Sequence, residues 1–155
     1  MGRMRVRRRR EERGASAVEF ALLVLPLSLL VFGIIAFGIM LSFRQTLSQA
    51  ATEGARAAAV QIDETKRQGD AEAAVAEAMG AVIFGDGNMV CNDGVLVCDA
   101  EPYVAGAGET PCAADAECYE VTVSYPYRAE GPVQIPLVNE LMPETLEYSA
   151  VVRVS

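Results

Sequence analysis

Four cysteines and one carboxylate are the side chains whose type and position could do specific chemistry: Cys91, Cys98, Cys112, Cys118 and Glu19. Four thiols can close two disulfides or hold a metal. The cysteines are separated by six, 13 and five intervening residues, and the chain has no His. That spacing is poor for zinc, which favours short Cys or His steps, so disulfides are the better reading. Three connectivities are open, and nearest-neighbour pairing, Cys91–Cys98 with Cys112–Cys118, is preferred. Each short loop would then stabilise by roughly 2–3 kcal/mol in the chain-entropy model. The missing His also excludes a Ser-His-Asp or Cys-His pair and any His-ligated metal. There is no Ser-Lys motif, Gly-rich phosphate loop or clear carboxylate dyad. The expectation is therefore no catalytic, cofactor-binding or metal-binding residue, and no cofactor.

Glu19 stands directly before a long uncharged stretch. A carboxylate at the edge of an apolar span costs free energy unless it is paired or reaches the polar interface. It therefore either marks the headgroup layer or needs a cationic partner. A cut after Gly14 would make Ala15 the first residue and Glu19 the fifth, and would create an α-amine one helical turn from Glu19. In staggered parallel helices, the amine of one subunit could meet Glu19 of the next.

The elements that must position these groups follow from charge and hydropathy. The 155 residues carry a formal charge of −8, unevenly spread. Residues 1–13 hold seven Arg and two Glu, whereas residues 45–155 hold 18 acidic and five basic side chains. An acidic body argues against nucleic acid as a partner. Between Glu19 and Arg44 lie 24 uncharged residues, Phe20 to Phe43. As a helix they span roughly 36 Å, enough for a hydrocarbon core of about 30 Å. A cleavable secretory signal has an apolar region of only about 7–15 residues, so a retained span is the better reading. Pro26 is tolerated in such a helix, with a local kink or opened turn expected. The Arg-rich tip places the N-terminus in the cytoplasm and the acidic body outside. A nucleic-acid arm or a twin-arginine signal explains the Arg run less well. It abuts the span, and Glu11-Glu12 follow the Arg pairs where an apolar residue would be needed.

A basic leader ending in Gly, a Glu five residues beyond it and a long apolar helix look like a type IV prepilin. The stretch Gly14 to Ala59 more narrowly resembles the TadE-like family of tight-adherence (Flp-type) pilus proteins. Ala17-Val18-Glu19-Phe20-Ala21, Pro26, Phe37-Gly38, Arg44-Gln45-Thr46-Leu47 and Glu53-Gly54-Ala55-Arg56-Ala57 carry the resemblance. Ala15 departs from the Phe that follows the cut in many type IV pilins. The resemblance implies processing between Gly14 and Ala15 by a prepilin peptidase, and a role for Glu19 in subunit alignment. It also implies partnership with other pilins or pseudopilins and the tight-adherence secretion machinery. The expected location is the inner membrane, single-pass, with the possibility of incorporation into surface pili.

Downstream, Gln45 to Val60 stays helical, with small residues four apart: Ala50, Gly54, Ala58 and Ala51, Ala55, Ala59. Such rows suit close helix packing. Glu53 and Arg56 form a solvated i,i+3 pair. A second helix is expected to start at Asp70 and run through Val75, Met79 and Val82 to Ile83, punctuated by Gly69 and by Gly85-Asp86-Gly87. Its Val75, Met79, Val82 stripe should pack on the body. Residues 119–127 and 146–154 alternate as half-buried strands and should pair antiparallel, with Pro126 pointing to an edge or a bulge. Met89 to Cys91 and Val95 to Cys98 are shorter strand candidates around Asn92-Asp93-Gly94. Leu137 to Met142 suggests one helical turn.

The expected class is α+β: a long N-terminal transmembrane helix that extends out of the membrane, then a small extracytoplasmic domain with a second helix and an antiparallel sheet. The divisions are a leader at 1–14, a pilin-like helix at 15–60 with its span at about 20–43, and a body at 61–155. The expected function is a minor pilin or pseudopilin. The rival is a single-span envelope protein with a ligand-binding outer domain, unrelated to pili.

Overall fold

The computed structural model describes residues 5–80, 89–104, 112, 117–136 and 138–154, with the side chains of the first helix described from Ala15 onward. Helix α1 spans Arg5–Val60 without a break, Pro26 included. Ser28 Oγ donates to the Val24 carbonyl at 2.7 Å just beyond the proline. Helix α2, Glu64–Gly80, folds back on α1. Three strands follow, β1 at Val97–Pro102, β2 at Glu117–Tyr125 and β3 at Leu146–Val154. They form one antiparallel sheet in the order β1-β2-β3. A four-residue helical turn, α3 (Tyr127–Glu130), and a 3-10 turn at Asn139–Leu141 lie in the connection between β2 and β3.

The expected α+β class is what the chain adopts, and β3 has the expected bounds. Three details differ. The second helix begins at Glu64, not Asp70, because Asp63 caps it: its Oδ1 accepts from Thr65 N at 3.1 Å and from Thr65 Oγ1 at 2.6 Å. Asp70 lies within α2 and accepts from Gln61 Nε2, and Gly69 is a helical residue with open space at its Cα. Residues 81–88, including Val82, Ile83 and the 85–87 stop signal, lie outside the described residues. Second, β2 is central, not an edge. It ends at Tyr125, so Pro126 removes no donor from the ladder, and Tyr127 starts α3. Third, Met89 to Cys91 contributes only a single bridge, Cys91 to Leu96, whereas the first strand runs on past Cys98 to Pro102.

One sheet face is buried. Pairing aligns Cys98, Val123 and Tyr148 in one row, Ala100, Val121 and Ala150 in the next, and Pro102, Tyr119 and Val152 in a third. Val121 and Val123 are fully buried. The other face carries Asp99, Glu101, Glu147, Ser149 and Arg153, all exposed. Helix α1 covers β2 and β3, and α2 covers β1. The small-residue rows serve this packing within the chain. Ala50, Gly54, Ala58, Ala51 and Ala55 are buried. A Cβ on Gly54 would lie 2.6 Å from Val75 Cγ2, 3.1 Å from Val121 Cγ1 and 3.2 Å from the Ala71 carbonyl. Only a residue without a Cβ lets α1, α2 and β2 meet at that depth. Val75 and Met79 are fully buried against the same core, as their spacing requires.

Candidate functional site

Helix α1 has two halves of opposite character. From Ala15 to Ile35 nearly every side chain is exposed, and the exposed set includes Val18, Phe20, Leu22, Leu23, Leu25 and Ile34. A helix this apolar with its surface bare is long enough to span a membrane. From Ala36 on, one stripe turns inward: Ala36, Met40, Phe43 and Leu47 are buried. The stripe follows the i, i+4, i+7, i+11 spacing of one helix face. The Phe43 ring tilts against Tyr125 at 4.7 Å and Tyr127 at 5.4 Å between centroids.

Gly14, Ala15 and Glu19 lie on one uninterrupted helix. Ala15 and Glu19 are four residues apart, a rise of about 6 Å on the same face. Both are exposed, so an amine made at Ala15 and the Glu19 carboxylate would be open to a neighbouring molecule.

The cysteines sit elsewhere, in the body. Cys91 is bonded to Cys98 and Cys112 to Cys118, with Cα separations of 5.4 Å and 6.3 Å. The first bridge closes the turn that leads into β1. Asn92, in the left-handed region at φ 63°, donates through Nδ2 to the Cys98 carbonyl at 3.1 Å and accepts at Oδ1 from Cys98 N at 3.2 Å. The second ties Cys112 to the start of β2. Neither bridge approaches Glu19, so they brace the body and do not form one site with it. Among the described residues no cluster of Cys, Asp or Glu could hold a metal ion.

Two arginine–aromatic contacts join residues far apart in the sequence. Arg44, the first charge after the apolar run, lies over the Tyr148 ring at 5.8 Å. It lines a shallow groove between α1 and β3 with Leu41, Gln45, Ser48, Gln49 and Tyr148. Arg67 is buried over the Tyr119 ring at 5.7 Å and donates to the Gln61 carbonyl at 3.3 Å. Strand alternation exposes Tyr119 and Tyr148 as inward-facing residues, but no local pattern announces their cationic partners. Burial pushes the Tyr119 phenol up, with Arg67 opposing, and also raises Tyr125 and Tyr127.

The segment that carries both halves of α1 is also the one with known relatives. Residues 14–56 match the family model described as TadE-like protein. Over this segment the chain is similar to TadE-like proteins. That family is associated with Tad pili. The TadE-like match begins at Gly14 and ends at Arg56, inside the packed half of α1, so α2 and the sheet lie beyond it. Neither curated proteins nor solved structures give a match to the chain.

Proposed function

We propose that this chain is a minor pilin or pseudopilin of a tight-adherence pilus. The observation that carries the reading is a TadE-like segment starting at Gly14, laid on a helix whose first half shows bare apolar side chains to its surroundings. A soluble protein would bury that surface. A subunit held in a membrane, and then bundled with other helices, would not need to.

In this reading the chain inserts into the inner membrane with residues 1–14 in the cytoplasm and the body outside. A prepilin peptidase cuts between Gly14 and Ala15. The new α-amine, with an ordinary pKa near 7.7–8.0, is mostly protonated at neutral pH and pairs with Glu19 of a neighbour shifted by about one turn. Residues 15–60 form the assembly helix, and residues 61–155 the outer domain, braced by its two disulfides. The partners are the peptidase, other pilins or pseudopilins and the tight-adherence machinery, and the work is associative, with no catalysis of its own.

The test is Glu19→Gln. Membrane insertion should persist, because the substitution makes the helix less polar. Processing should be largely retained, because the cut precedes Ala15. Support of pili and adhesion should fail, since an uncompensated partner in such a pair costs several kcal/mol, roughly 3–5. Fractionation between membranes and sheared fibres, with adhesion scored in parallel, reads the result. Normal fibres and normal adhesion would leave Glu19 as an interface marker only.

A further inference from the structure

The end of the body that faces the membrane is set by strand direction. Gly54 of α1 meets Val121 of β2, whereas Phe43, about 16 Å nearer the N-terminus, meets Tyr125. Strand β2 therefore descends α1 toward the membrane, and β3 starts again at the same level, where Leu146 pairs with Tyr125. The connection from Pro126 to Thr145 hangs from that end. Ala36 and Met40 are buried and belong, like Tyr127, Val138, Met142 and Leu146, to the one hydrophobic core of the body, and Tyr127 meets the Phe43 ring at 5.4 Å. Ala36 lies about 10 Å below Phe43. A hydrocarbon core of about 30 Å takes about 20 helical residues, so one that begins at Phe20 ends near Ile39. The connection thus starts on α1 at Phe43, about 6 Å above the level where the apolar span meets the headgroups.

Its surface suits that place. Leu141 is 74% exposed. Pro136 is exposed, and Val133 and Ile135 are half-exposed beside it. Its backbone carbonyls are unusually well supplied with side-chain donors. Arg128 Nε and Nη2 donate to the Met142 carbonyl at 3.0 and 2.6 Å, and Asn139 Nδ2 to the Arg128 carbonyl at 3.1 Å. Tyr125 Oη donates to the Glu130 carbonyl at 2.6 Å. Carbonyls satisfied by the protein itself need no water, which is the requirement for irregular backbone near hydrocarbon. Glu130, Glu140 and Glu144 are exposed, and Glu144 pairs with Arg128 at 3.0 Å, which limits the connection to the interface and keeps it out of the bilayer centre.

We propose that the β2–β3 connection is a second membrane contact: Leu141 and its apolar neighbours enter the extracytoplasmic headgroup–acyl boundary beside α1 and hold the body against the lipid surface. This rests on α1 spanning the bilayer, and the experiment separates the two claims. The chain has no Trp, so single substitutions report depth directly. Full-length Leu141→Trp, Leu29→Trp and Ile62→Trp variants, each at an exposed position, are placed one copy per nanodisc with and without brominated acyl chains. Ile62 lies just past Val60, the end of α1, which is about 26 Å above Phe43 and well outside the lipid. Leu141→Trp should emit to the blue of Ile62→Trp and be quenched by brominated lipid, less deeply than Leu29→Trp. If Leu29→Trp is quenched but Leu141→Trp behaves like Ile62→Trp, the span stands and the second contact is refuted. Blue emission at 141 without quenching means that protein, not lipid, covers the connection, which also overturns the proposal. An unquenched Leu29→Trp removes the span and the proposal with it.

Discussion

Gly54 shows how one missing methyl group sets the geometry of the body. A Cβ there would meet Val75 Cγ2 at 2.6 Å and the Ala71 carbonyl at 3.2 Å. Ala in mid-helix gains about 1 kcal/mol over Gly in propensity, whereas overpacking a close contact costs about 1–3 kcal/mol. Val75 is β-branched, so its methyl cannot simply rotate away. Gly54→Ala should therefore destabilise the body by up to about 2 kcal/mol, read as a lower unfolding midpoint in detergent. Val75→Ala alone should also destabilise, through the cavity it leaves, and the double variant should lose less than the two combined. Additive losses would mean that the two residues do not share the space. The small-residue rows announced close packing from the sequence, but not its partner, because the rows themselves do not say whether the facing surface belongs to another chain or to this one.

At the scale of elements, the capping chemistry decides where α2 starts. Hydrogen bonds from Thr65 hold the Asp63 carboxyl below its ordinary value of 3.8. A lowered folded value means that the cap supports α2 above that range and that the support is lost as pH falls through it. Asp63→Ala should lower the unfolding midpoint at neutral pH and speed amide exchange at Thr65, whereas Asp70→Ala should leave Thr65 exchange unchanged. Equal effects from both would return the start of the helix to Asp70. The strands at 117–125 and 146–154 were largely legible because residues 119–125 alternate apolar and polar strictly and 146–154 do so except at Val151. The start of α2 was not, since Gly69 reads as a breaker although its exposed helical position tolerates it. Strand β1 was only half legible, because it buries the small residues Cys98 and Ala100, carries Asp99 and Glu101 outward and ends in Pro102. The central place of β2 depends on that strand, so it was hidden too. Among the site residues, Glu19 stands out by charge and hydropathy, whereas Gly14 and Ala15 are marked only by the resemblance to prepilins. The pairing of the cysteines does not stand out, because spacing leaves three connectivities open.

For the molecule as a whole, the sheet and both helices share one buried face, so groups there report on the entire body. Tyr119, Tyr125 and Tyr127 have phenols pushed above their ordinary 10.0 by burial. Their folded values exceed the unfolded one, so their contribution is intact below pH 10.0 and is lost as pH rises through the raised values. Phenolate absorbance should lag behind that of free tyrosine and then rise together with loss of the unfolding transition. Smooth titration of every tyrosine near its ordinary value would contradict the packed sheet face. The disulfides act at the same scale. Alkylation of envelope-extracted protein under denaturing, non-reducing conditions should label no thiol, and two or more reactive thiols would refute the two-bridge framework.

In the proposed function α1 is a membrane helix that becomes an assembly helix once its leader is removed. Everything proposed for Glu19 requires a free amine at Ala15, and that amine exists only after a cut behind Gly14. The decisive measurement is the intact mass of the protein purified from membranes of cells with and without the prepilin peptidase. With the peptidase, the account predicts loss of the 14 residues Met1 to Gly14 and a chain that begins at Ala15; without it, the leader remains. A mature protein that still begins at Met1 or Gly2 in the presence of the peptidase would contradict it.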